Sequence, residues 1–193
     1  MNSYIQTRNL ELFRPGRDVA VDEAMARFEG RSHETTTIPG KPIPTGYKVW
    51  VIAQGGFFLQ WIWHAKGKSG GPVGVIVPPE LGGSKSGKGR QGNKTAAVVP
   101  HLLARLPKPL IGRYVAYMDN LFVSDLLLKY LRSCGWGGTG TCRKDSGVLQ
   151  EYIDIKSTDQ KKDNLEWGTL FQDPTEDNLI NQIGWKDNAV VLF

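Results

Sequence analysis

Two short apolar runs, Val19-Ala20-Val21 and Tyr114-Val115-Ala116-Tyr117-Met118, each lead into an aspartate, Asp22 and Asp119. Small apolar, β-branched and aromatic residues in such runs favour buried strands. A carboxylate that closes a buried strand is costly unless something pairs with it. Placed side by side, two such carboxylates form half of a divalent-metal site. The alternative is that each caps the turn or helix that follows, a common use of aspartate.

The rest of the chain supplies a framework for these strands. Residues 1–18 read as a polar lead-in with a turn at Pro15-Gly16. Strand one covers 18–22, and 22–28 reads as a short helical turn after it. Gly30, Pro39, Gly40, Pro42, Pro44 and Gly46 mark 30–46 as a loop. Residues 47–53 and 57–64 form a hairpin across Gly55-Gly56, a dipeptide suited to a tight turn. A Gly/Lys/Ser-rich stretch at 66–94 is expected to be a flexible basic insertion. Val98, Val99, Leu102, Leu103 and Leu106 then recur at helical spacing over 96–106, with Pro100 in the first turn or at a kink. The strand at 114–118 leads to a helix at 124–133, with Ser124 as N-cap, Leu127, Leu128 and Leu131 as an apolar stripe, and Gly135 as the stop. Residues 137–143, 167–171 and 183–193 read as further strands, and 156–164 as a solvated loop. This order predicts an α/β fold, a mixed sheet flanked by helices, with strands one and four parallel.

A chain of 193 residues can bury a sizeable core and reads as one domain. Its net charge of +5 tilts it mildly toward anionic partners. Cys134 and Cys142 are the only cysteines. They leave a disulfide open but make no disulfide framework. With no C-x-x-C pair and His33, His64 and His101 scattered, zinc is set aside. The N-terminus has no signal pattern, and no apolar run nears the roughly 18 residues of a membrane span. The chain therefore reads as soluble and intracellular, without a membrane partner and without a nuclear-import cluster.

Several motifs stand in a fixed order over residues 11–193: VDEAMARFEGRS, IPGKP with GYKVWVIA, YMDN followed by LFVS, GTCRKDSGVL, and WKDNAVVLF. Together they resemble the transposase domain of piggyBac-type elements. The resemblance implies an RNase H-like fold and cut-and-paste DNA transposition that uses three acidic residues. It places the first at Asp22 and the second at Asp119. The third belongs to a Gly-Gly-Val-Asp-type motif beyond the segment matched by WKDNAVVLF, and this chain does not contain it. The family's N-terminal part and its cysteine-rich zinc module are missing as well. The chain is thus expected to be a single partial domain, 1–193, truncated at its C-terminus.

The same resemblance implies Mg²⁺ as cofactor, DNA as partner and, by analogy, the nucleus as location. Two Mg²⁺ ions about 3.5–4 Å apart activate the attacking oxygen and stabilise the leaving one. Losing one carboxylate of three costs about a thousandfold or more in rate. The chain alone is therefore expected to be catalytically incompetent. The alternatives are a non-catalytic DNA-binding or protein-interaction module, and a decaying or truncated transposon remnant.

Other features weigh less. Lys85, Lys88, Arg90 and Lys94 form a basic stretch with no acid among them. It either follows a DNA backbone or is simply solvated; four phosphate contacts would give a log–log salt slope of about −3.6. Gly82 to Lys88 has the spacing of a phosphate-binding loop, but Gly89 stands where Ser or Thr would hold Mg²⁺, and Pro78-Pro79 precede it. No nucleotide is expected. Asp187, beside Asn188, reads as a turn between two strands rather than a replacement ligand. Glu23 should point away from Asp22. Trp50, Trp61 and Trp63 read as packing residues, and His64 and His101 as structural.

Overall fold

The computed structural model describes residues 2–67, 70–82, 94–109, 112–162 and 164–193. They divide into two compact units, Met1–Tyr117 and Met118–Phe193.

The first unit begins with helix α1 (Asn2–Leu12), followed by strands β1 (Asp18–Arg27), β2 (Thr36–Thr37), β3 (Thr45–Gln54), β4 (Phe57–Ala65) and β5 (Gly71–Pro72). A 3-10 turn at Pro79–Leu81, helix α2 (Lys94–Leu103) and strand β6 (Val115–Met118), all but its last residue, complete it. The strands lie in the order β5-β4-β3-β1-β6, with β2 beside β3. β1 runs antiparallel to β3, placing Asp22 opposite Val51 and Glu23 opposite Trp50. The Val115 N–H donates to the Arg17 carbonyl at 2.9 Å, fixing β6 against the start of β1.

β3 is buried along Val49, Trp50, Val51 and Ile52, so both of its faces are covered. That explains why its sequence is a continuous apolar run rather than an alternating one. β1 alternates instead: Val19 and Val21 are buried, while Asp18, Ala20 and Asp22 are exposed. Helix α2 buries Ala96, Ala97, Val98, Val99, Leu102 and Leu103 and contacts β3, β4 and β5. At the β3–β4 turn, Gly55 and Gly56 take φ of 57° and 80°. A two-residue turn of this hand needs positive φ at both positions, which glycine adopts without cost.

The second unit contains α3 (Asp125–Ser133), β7 (Gly137–Gly140), α4 (Gln150–Lys162), β8 (Leu170–Pro174), β9 (Asn181–Lys186) and β10 (Val190–Leu192). β8, β9 and β10 form an antiparallel sheet in the order β10-β9-β8. Tyr152 of α4 packs with Val190 and Leu192, and Ile155, Leu165 and Phe171 surround them. The Ser124 hydroxyl caps α3 by accepting from the Leu127 N–H at 3.2 Å. Gly135, at φ 79°, follows the helix end.

Local sequence misled in several places. Residues 22–28 are not a helical turn. β1 continues to Arg27 because Glu23 to Ala26 pair with Trp50 back to Tyr47, so Asp22 lies within a strand rather than at its end. The polar lead-in is helix α1, anchored to β4 through Asn9 to the Phe58 carbonyl, Gln60 to the Gln6 carbonyl and Trp61 to Asn2. Residues 156–162 belong to α4, not to a solvated loop. Pro100 sits inside α2 rather than in its first turn. The segment 66–94 holds β5 and the 3-10 turn among its described residues. The run 183–193 is, as read, two strands with Asp187 at the turn between them.

Candidate functional site

Asp22 is exposed on the outward face of β1. The Glu23 N–H donates to its Oδ1 at 2.7 Å. Strand alternation and register give it Ala20, Ala24 and Val51 as neighbours on that face, none of them charged. One carboxylate oxygen is thus held by the backbone, while the side chain remains open to solvent.

Glu23, on the opposite face, is arranged differently. Lys41 Nζ lies 3.4 Å from its Oε1, and Lys48 Nζ pairs with Oε2. Lys48 also sits 4.0 Å over the Trp50 ring. Burial raises the Glu23 pKa, but the hydrogen bonds and charges of Lys48 and Lys41 outweigh it and hold the carboxyl below its ordinary range. Glu23 is therefore committed to two lysines, as its predicted direction away from Asp22 requires.

Asp119, in the second unit, directly follows β6 and is exposed. The Leu121 N–H donates to its Oδ1 at 2.9 Å. Its carbonyl accepts from Phe122 N–H at 3.2 Å and Val123 N–H at 3.4 Å. The chain thereby turns within five residues into the Ser124 cap of α3. The turn-capping reading of Asp119 is met here, through Oδ1.

Asn120 is also exposed, and Arg143 Nε donates to its Oδ1 at 3.2 Å. Nothing in the local sequence signals this pairing, because the two residues are brought together only by the close run of 140–147 beside 118–125. Two glycines permit that approach. A Cβ on Gly140 would lie 1.9 Å from the Met118 carbonyl oxygen, and one on Gly147 would lie 2.6 Å from the Asp125 Cβ.

Sequence reasoning also missed the ionic groups of the second unit. Lys129 Nζ bridges Asp125 at 3.1 Å and Asp177 at 2.5 Å. Hydrogen bonds from Lys129 and Thr175 hold the Asp177 carboxyl down to about 2. Lys186 and Asp159 form a buried pair at 2.9 Å. Tyr152 donates to Asp173 at 2.7 Å.

Asp187 is a turn residue whose Oδ1 accepts from Trp167 Nε1 at 3.2 Å, in keeping with its sequence reading. Trp50 is buried, whereas Trp63 is exposed. Trp50 Nε1 reaches His64 Nδ1 at 3.3 Å. Burial and the Lys48 charge depress the His64 pKa. Cys134 and Cys142 are free thiols. Lys94 opens α2 and is half-buried, while Lys85, Lys88 and Arg90 lie outside the described residues.

Among the described residues, no group of three or more His, Cys, Asp or Glu side chains converges to hold a metal ion. Asp22 and Asp119 nevertheless fit a hard cation in donor chemistry. Each is an exposed carboxylate oriented through one oxygen by a neighbouring backbone N–H, and oxygen donors are what Mg²⁺ takes. No described helix is long and apolar enough to cross a membrane.

A family model described as Transposase IS4 matches residues 1–177. Among solved structures, the chain is similar to a piggyBac transposase in a synaptic complex with hairpin DNA. The likeness has a TM-score of 0.66 at 19% identity, over 98% of this chain and 35% of that one. The chain thus spans about a third of the length of that transposase. The shared property is the fold, a mixed α/β, RNase H-like architecture. No curated protein matches the chain.

Proposed function

Because the chain belongs to the Transposase IS4 family and is a transposase-derived domain, we propose that Asp22 and Asp119 are the first two acidic positions of its DDE centre. The ancestral activity of this family is DDE transposition, a divalent-metal chemistry. We take Mg²⁺ as the ion, DNA as the partner, the nucleus as location, and residues 1–193 as one domain.

One observation carries the reading. Asp22 and Asp119 are both exposed, and in both a backbone N–H holds only Oδ1. A carboxylate oriented in this way loses little rotamer freedom when its second oxygen takes a cation. Asp22 is further distinguished from Glu23, whose oxygens are both taken by lysines. When bound, the ion would activate an attacking oxygen and stabilise the leaving one at a DNA phosphate. Asp22 and Asp119 are each proposed as an oxygen ligand for such an ion.

Residues 1–193 carry two of the three acids, so we further propose that they do not cleave DNA by themselves. The deficit is about a thousandfold or more in rate. A second reading is favoured by the net charge of +5. In it, the domain binds DNA without cutting it, with Lys85, Lys88, Arg90 and Lys94 along the backbone.

The test is Mn²⁺ binding and DNA nicking by the purified chain. We expect Mn²⁺ to bind, Asp22→Asn and Asp119→Asn each to weaken it, and no nicking to occur in Mg²⁺ or Mn²⁺. Mn²⁺ affinity indifferent to both substitutions overturns the site. Nicking abolished by Asp22→Ala overturns the incompetence. Salt-sensitive DNA affinity that survives both substitutions supports the second reading.

A further inference from the structure

We propose that Arg143 is a positioning residue for Asp119, acting through Asn120. The inference rests on the reading of Asp119 as a metal ligand. It concerns what keeps that carboxylate in place.

The Asp119 turn is short and exposed, and its internal bonds are few: Leu121 N–H to the side chain, Phe122 and Val123 N–H to the carbonyl. An isolated turn of this kind samples several conformations. Here it is fastened from outside at two points. Arg143 Nε grips Asn120 Oδ1 at 3.2 Å on one side of Leu121. The Asp125 N–H donates to the Ser146 carbonyl at 2.9 Å on the other.

The fastening segment is itself a closed turn. The Ser146 N–H donates to the Arg143 carbonyl at 3.1 Å, and the Arg143 N–H donates to Ser146 Oγ at 3.3 Å. Ser146 therefore sets the Arg143 backbone and also receives the Asp125 bond. The two fastenings are mechanically one bracket, with Leu121 to Ser124 held between them and Asp119 directly before the first. Gly140 and Gly147 mark its ends, where the two segments touch too closely for a Cβ.

The Nε–H is directional. Lysine at 143 keeps the charge but has no donor at the Nε position, and its ammonium sits on a longer, freely rotating stem. The bracket thus predicts that the donor geometry matters and the charge alone does not. Lys144, the neighbouring exposed cation, provides the charge control.

The experiment measures Mn²⁺ affinity of the full chain, together with Mn²⁺ broadening and exchange rate of the Leu121 amide by NMR. Asp119→Asn should abolish the broadening at Leu121. Arg143→Lys and Asn120→Ala should each lower Mn²⁺ affinity about tenfold, the effect usual for groups that orient a metal ligand. Both should speed Leu121 exchange. The double variant should be no worse than either single one, because both remove the same bond. Lys144→Gln should leave all three readings unchanged.

If Asp119→Asn alters binding but Arg143→Lys and Asn120→Ala do not, the positioning role is wrong while the metal reading stands. If Asp119→Asn leaves Mn²⁺ binding untouched, the metal reading fails and the positioning role with it. Equal losses from Lys144→Gln and Arg143→Lys would mean that charge, not the bond, is responsible, and also overturn the proposal.

Discussion

Gly138 and Gly140 occupy the same face of β7, two residues apart, yet alanine should affect them very differently. A Cβ at 138 would meet Leu131 Cδ1 at 2.9 Å, Leu128 Cδ2 at 3.0 Å and Met118 Cε at 3.2 Å. All three are ends of flexible side chains that can rotate away. A Cβ at 140 would lie 1.9 Å from the Met118 carbonyl oxygen and 2.8 Å from its carbon. Carbon–oxygen contacts of this type settle near about 3.3 Å, so backbone must move by more than about 1 Å. Overpacking costs about 1–3 kcal/mol, and a clash that no rotamer relieves belongs in the upper part of that range. The lower entropy of an unfolded alanine returns about 0.5 kcal/mol in both variants. Gly140→Ala should therefore lose about 2 kcal/mol, a Tm drop of about 4–8 °C in a chain of this size. Gly138→Ala should stay within about 0.5 kcal/mol of the parent. Urea unfolding followed by tryptophan fluorescence compares them, with equal m-values required. Met118 immediately precedes Asp119, so Gly140→Ala should also weaken Mn²⁺ binding and Gly138→Ala should not. Equal costs for the two variants, or a Gly140→Ala protein as stable as the parent, would refute the close-approach argument.

Two charge predictions follow from the pKa directions. Glu23 titrates below its ordinary 4.5 in the folded chain. Its contribution is therefore complete above about pH 4.5 and is lost as pH falls through the depressed value. Urea midpoints measured down through that range should fall less steeply in Glu23→Gln than in the parent; parallel curves would count against the lysine pairing. Asp177 is held at about 2 chiefly by Lys129, so its stabilising effect persists above its ordinary 3.8 and fades toward about pH 2. Lys129→Met should return the Asp177 carboxyl toward its ordinary range in a ¹³C NMR titration, and an unmoved midpoint would remove Lys129 as the cause.

What the sequence made legible, and what it hid, follows from the range of the interactions concerned. The Gly55-Gly56 turn, the Ser124 cap and the Gly135 stop were readable because each is decided by one or two residues. The family was readable because several motifs fall in one order. By contrast, VDEAMAR has helical propensity after Asp22 but is strand, since pairing with the buried β3 overrides it. KSTDQKK looks like a solvated loop by composition. It is helix because Asp159 accepts from the nearby Leu165 N–H and finds Lys186 across the second unit, and no local pattern announces a partner 27 residues away. The candidate site divides in the same way. Its two aspartates could be picked out as strand-associated carboxylates from local sequence. The group that would steady one of them, Arg143, lies 23 residues from Asn120 in the chain. It meets Asn120 only because Gly140 and Gly147 let two backbones close on each other. Candidate ligands are therefore easier to read from sequence than candidate supports. Ligands are selected for chemical type, which sequence displays directly. Supports are selected for position, which exists only after the chain has folded.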